Sequence, residues 1–106
     1  MNERSDETDV MDINLRKLSD EDIERISNEA YKFVRHFLSN YINPQEIDEY
    51  NIIVDIDYSN QNLQIDIDLQ LKLPPRIARN EQKIIEDVLE KSFSELDKLL
   101  KEKFTN

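Results

Sequence analysis

The 106-residue chain has no glycine, no cysteine and no tryptophan, and only three prolines. A Walker loop, a dinucleotide fingerprint, a nucleophile elbow and a GxxG nucleic-acid clamp all need glycine where the backbone turns sharply or approaches a ligand, so all four are excluded. The lack of cysteine removes disulfides, thiolate zinc sites and cysteine nucleophiles together. Histidine occurs once, at His36. It lies beside Lys32 and Arg35 with no serine or carboxylate at a nucleophile-and-base spacing, and so reads as a surface charge near a helix end. The expectation is a protein that is not an enzyme and carries no cofactor.

Long hydrophobic runs are also absent. The longest aliphatic run is Ile52-Ile53-Val54, far short of a membrane span. The start MNERSDETD lacks the apolar core of a secretory signal, so a cytoplasmic location is expected. Positive charge is scarce: 24 acidic residues against 14 basic ones give a formal net charge of -10. That balance repels phosphate backbones and anionic lipid headgroups, leaving a protein partner as the expected ligand, with no membrane binding and no direct nucleic-acid binding by the chain alone.

What is present is enough for one compact domain. Five of the first nine residues are charged, so residues 1–9 read as a disordered acidic tail and 10–106 as a single α+β domain. Met11, Ile13 and Leu15 alternate with polar residues, as in a short strand. Ser19 is placed to cap a helix whose first turn holds Asp20, Glu21 and Asp22. Ile23, Ile26, Ala30, Phe33, Val34, Phe37, Leu38 and Tyr41 form its apolar stripe, and Asn43-Pro44 ends it. QEIDEY reads as an acidic connector, with one short helical turn begun by Asn43 and Pro44.

Two alternating runs follow, VDID and IDID, separated by Ser59-Asn60-Gln61-Asn62. Without glycine, asparagine is the residue that best tolerates positive φ, so a hairpin centred on Asn60-Gln61 is expected. This closure pairs Tyr58 with Leu63, Ile56 with Ile65, Val54 with Ile67 and Ile52 with Leu69, all facing one way. Pro74-Pro75 ends the second strand and opens a last helix with Ile77, Ile84, Ile85, Val88, Leu89, Phe93, Leu96, Leu99, Leu100 and Phe104 on a broad face. The expected fold is a β-α-β-β-α two-layer sandwich, a small antiparallel sheet with two long helices packed on one face.

The same register puts Asp55 opposite Asp66 and Asp57 opposite Gln64, with Asp68 diagonal to Asp55. Opposed carboxylates need water or a cation. A flat two-stranded face offers oxygens from one side only, whereas calcium takes six or more around it, so the ladder reads as a solvated face and no metal is expected. Arg76, Arg79 and Lys83 form the one sizeable basic group, read as a solvated turn or a rim for an acidic partner.

A last helix from about Pro75 to Phe104 would run roughly 40 Å, against about 27 Å for an eight-residue strand. The excess implies an apolar overhang, and Leu71 and Leu73 run past Ile52 on the second strand. The candidate partner interface is therefore Leu71, Leu73, Phe93, Leu96, Leu99, Leu100 and Phe104, and a homo- or heterodimer is expected.

The alternating pair NIIVDIDYSN and QNLQIDIDLQLKL, preceded by one amphipathic helix and followed by a longer one, resembles a small archaeal family of uncharacterised proteins. In order and length of elements over residues 10–104 the chain also resembles, as a paralogue would, the small dimerisation subunit of the KEOPS complex. That complex works with a universal tRNA-modifying enzyme to make N6-threonylcarbamoyladenosine, and its small subunit pairs through its sheet while its helices dock on the catalytic subunit. The resemblance implies a non-catalytic accessory subunit supporting that modification. One departure is the opening of the last helix, where this chain has Arg79, Asn80, Glu81 and Gln82 in place of small residues that permit close docking. Read from its residues alone, the chain is equally a homodimeric adaptor or chaperone-like interaction module.

Overall fold

A computed structural model describes residues 17–60 and 62–104. The expected tail over residues 1–9 and strand over 11–15 lie outside them. The described elements are helix α1 (Asp20–Tyr41), strand β1 (Glu49–Ser59), strand β2 (Asn62–Lys72) and helix α2 (Glu81–Lys103), with 3-10 turns at Pro44–Glu46 and Ala78–Asn80. Their arrangement is the expected two-layer α+β sandwich, a small antiparallel sheet carrying both helices on one face.

Helix α1 starts where its capping chemistry places it. The Asp22 amide donates to Ser19 Oγ at 3.1 Å and the Ser19 amide donates to Asp22 Oδ2 at 3.0 Å, which satisfies two of the amides a helix start leaves without partners. Ile26, Ala30, Val34 and Leu38 form its buried row. A matching row on α2 is Val88, Ser92, Leu96 and Leu100. Both rows step by four, and the small Ala30 and Ser92 let the backbones approach. The Ser92 hydroxyl, fully buried, donates to the Val88 carbonyl at 2.8 Å.

The hairpin register is the expected one, with Tyr58 on Leu63, Ile56 on Ile65, Val54 on Ile67 and Ile52 on Leu69. Asn60 takes the left-handed conformation, with φ 54°. Pairing continues further than expected, through Tyr50 with Leu71 to Glu49 with Lys72, and the Asp48 amide adds a 3.1 Å bond to the Lys72 carbonyl. EY of the supposed connector thus belongs to β1. Its earlier part is the expected short turn, capped by Asn43 Oδ1, which accepts from the Gln45 amide at 3.0 Å.

Helix α2 begins later than Pro75. The chain first makes a turn in which the Ile77 amide bonds the Pro74 carbonyl, then the 3-10 turn, and only then the helix. A 23-residue helix is about 35 Å long, and 11-residue strands span about 37 Å. The two layers therefore match in length. Because Glu49 pairs with Lys72, α1 ends and α2 begins at the same end of the sheet, so the helices run antiparallel. The molecule measures 47 × 32 × 19 Å, and its short dimension is that of two layers.

Candidate partner interface

With the layers matched, the expected overhang closes. Leu96, Leu100 and Phe104 are 0% exposed and Leu73 is buried, all four within the chain's own core. This corrects the expectation that they form a free apolar patch: α1 packs along α2, and all four side chains are buried in the one core cluster. Leu71, Phe93 and Leu99 are half-buried and remain partly accessible. The surplus expected at Leu71 is also taken up, since Leu71 pairs with Tyr50.

The open surface is instead the sheet edge. Among the described residues the sheet has two strands only, so each strand has one edge without a backbone partner. In an antiparallel ladder, successive residues alternate between bonding the neighbouring strand and turning their backbone groups away. Ser59 and Asn62 close the hairpin, and Lys72 accepts from the β1 side. It follows that the backbone groups of Tyr50, Ile52, Val54, Ile56 and Tyr58 point away from β2, and those of Leu63, Ile65, Ile67, Leu69 and Leu71 point away from β1, although the side chains of both sets face the helices.

The two edges are not equivalent. On β1, the Tyr31 hydroxyl of α1 donates to the outward Ile52 carbonyl at 2.6 Å, and the Leu18 amide donates to the Tyr58 hydroxyl at 3.0 Å. The Tyr31 side chain thus covers the outer edge of that strand at its middle, and at the hairpin end the side chain of Tyr58, itself on β1, reaches the Leu18 amide. Among the described residues no such contact crosses β2, whose core-facing side chains Leu63, Ile65, Ile67 and Leu69 are buried while Val54, Ile56 and Tyr58 on β1 are half-buried. A strand added beside β2 would extend a finished apolar layer. The edge-capping role of Tyr31 was not seen in the sequence; its place beside Ala30, just off the apolar stripe, with an apolar ring and a polar tip, was the available signal.

The outward face carries Asp55 opposite Asp66 and Asp57 opposite Gln64, with Asp68 opposite Ile53, all exposed. Gln70 Nε2 donates to Asp68 Oδ2 at 3.1 Å. Among the described residues no three histidine, cysteine or carboxylate side chains are grouped to hold a metal ion. His36 is exposed, with its ring edge-on to Phe37 at 5.2 Å. Of the expected basic group, Arg76 pairs with Glu46 at 3.7 Å and Lys83 with Asp87 at 3.4 Å. Lys91 lies 5.1 Å from the Tyr41 ring centre, and its ammonium is held above its ordinary value by the hydrogen bond to Tyr41 and the charge that hydroxyl can carry. Among the described residues no helix is long and apolar enough to cross a membrane.

Two solved structures are similar to this chain. One is the solution structure of a hypothetical protein from Methanothermobacter thermautotrophicus, with a TM-score of 0.65, 22% identity, and coverage of 86% of this chain and 98% of that one. The other is a crystal structure from Thermococcus onnurineus NA1, with a TM-score of 0.69, 20% identity, and coverage of 88% and 89%. At these identities the likeness is one of fold, and both sources are archaeal. No curated protein matches the chain. A family model described as "Protein of unknown function (DUF3194)" matches residues 15–99, well over half of the sequence, and the chain belongs to that family.

Proposed function

We propose that the chain is a non-catalytic accessory subunit that pairs, through the edge of β2, with the small dimerisation subunit of the KEOPS complex and so supports threonylcarbamoylation of tRNA. The observation that carries this reading is the β2 edge, uncapped by any described residue, above a completed apolar layer. A two-stranded sheet is marginal by itself, and a strand edge of this kind recruits another strand by main-chain bonding. The order of helix, hairpin and longer helix supports the same reading, because it is that of the subunit the sequence resembles.

Charge favours a different partner over a second copy. Two β2 strands from identical chains would bring Asp66 and Asp68 near their own counterparts, and like charges across neighbouring strands are destabilising. A partner strand with lysine or arginine on its outward positions would be attracted. With a net charge of -10, the chain itself binds no tRNA at physiological salt; contacts to tRNA come from partner subunits.

Mixing the chain with the small KEOPS subunit tests this directly. Sedimentation is expected to show the partner's homodimer replaced by a one-to-one species, and threonylcarbamoylation by the reconstituted complex is expected to change. No mixed species at tens of micromolar overturns the assignment. A self-dimer indifferent to the KEOPS subunit would make the chain a homodimeric adaptor instead.

A further inference from the structure

At one end of the core the apolar layer is incomplete. Tyr50 occupies an inward position of β1, opposite Leu71, yet is 45% exposed. Helix α1 has ended at Tyr41, the 3-10 turn carries the chain around the gap, and α2 starts only at Glu81. The result is a slot of about 190 Å³ lined by Arg35, Leu38, Ser39, Pro44, Ile47 and Tyr50. A closed apolar cavity of about 150 Å³ is enough for benzene, so the slot has room for one aromatic or branched aliphatic side chain.

Its floor and mouth differ in chemistry. Leu38 is buried and Ile47 half-buried, while Arg35, Ser39, Pro44 and Tyr50 are exposed around the opening. The Ser39 hydroxyl already donates to the His36 carbonyl at 2.6 Å, so its proton is committed. Arg35 makes no ion pair with any described residue, although the chain has 24 acidic residues. Glu46, the acidic residue of the 3-10 turn, is paired with Arg76. An unpaired guanidinium beside an apolar slot has the geometry to take a carboxylate in two parallel hydrogen bonds.

We propose that this slot is a binding site for a hydrophobic side chain adjoining a carboxylate, presented by a protein partner. The partner's apolar group enters above Leu38 and Ile47, stacking against Tyr50, and its carboxylate meets Arg35. The chain's overall negative charge opposes an anionic ligand at long range, but that field is screened beyond about 8 Å at physiological salt, and the short contact with Arg35 decides the local preference. This site makes no use of the β2 edge, so it stands or falls separately from strand pairing.

N-acetylphenylalanine carries both groups and is the probe, with its uncharged amide as control. Titration of the isotope-labelled protein, followed by NMR, is expected to shift the backbone amides of Ser39, Ile47 and Tyr50 saturably. The acid should bind roughly two- to fivefold more tightly than the amide, the range for a solvent-exposed charge pair. Arg35→Gln, at an exposed position, should leave the rest of the spectrum unchanged and reduce the acid to the affinity of the amide. Tyr50→Ala should weaken both probes. Equal binding of acid and amide to the wild type, an Arg35→Gln variant that still prefers the acid, or shifts that never saturate would each overturn the proposal.

Discussion

The Tyr31 hydroxyl donates a 2.6 Å hydrogen bond to the Ile52 carbonyl, so a residue of α1 caps the outer edge of β1 at the middle of the strand. Tyr31→Phe keeps the ring and removes only that bond. A loss of about 0.5–1.5 kcal/mol is expected by chemical denaturation, the net worth of one such bond. No measurable loss would mean that the bond is not maintained in solution.

Asp55 and Asp66 oppose each other on the exposed face. Replacing both with asparagine removes like-charge repulsion and should leave stability unchanged or raise it by up to about 1 kcal/mol. A ligand that binds only the folded state raises its melting temperature. Millimolar magnesium or calcium should therefore leave the melting temperature of the wild type where it is; a rise that the double variant abolishes would reveal an ion site.

Leu96 belongs to the buried row of α2 and has no exposed surface. Leu96→Ala should cost about 2–5 kcal/mol of folding stability, as in other buried leucine truncations. Sedimentation of the variant at temperatures where it remains folded should match the wild type. Weakened association without loss of stability would return this residue to an interface.

Leu71 is half-buried at the end of β2, and its backbone amide turns outward by the alternation of the ladder. Proline is tolerated on an edge strand where its missing amide would have faced solvent. Leu71→Pro should keep a cooperative melting transition and impair formation of the mixed species with the small KEOPS subunit. An unchanged mixed species would place the pairing surface elsewhere.

Lys91 gains its raised value from Tyr41. A folded-state value above the unfolded one contributes stability that is complete below the ordinary 10.5 and is lost as pH rises through the folded value. Thermal melts should show a constant difference between wild type and Lys91→Met from neutral to mildly alkaline pH, narrowing above the ordinary lysine value. The group is fully exposed, so the difference is small throughout.

The elements whose determinants are local could be read directly from the residues. Ser19 with Asp22 makes its own cap, Asn43 makes its own turn, and Asn60 is the residue able to adopt positive φ in a loop without glycine. Period-two alternation on both sides of that loop settles the register, because a slip of one residue would turn Ile65 and Ile67 to water and Asp66 to the core. The acidic face follows from the same alternation, and so does its exposure.

Burial between layers was not legible in this way. Periodicity shows which way Leu96, Leu100 and Phe104 point, not what lies above them, and that depends on where α2 begins and where β1 begins. Both shifted: Pro74-Pro75 led into turns rather than a helix, and Glu49-Tyr50 joined the sheet, with Glu49 opposite Lys72 and the Asp48 amide bonding the Lys72 carbonyl. The slot beside Arg35 and the capped edge at Ile52 likewise bring together residues from separate elements. Short-range rules act on neighbours in sequence and determined the caps, the turn and the register. Packing joins residues distant in the chain, and only the tertiary structure decided which apolar surface was covered and which edge was left open.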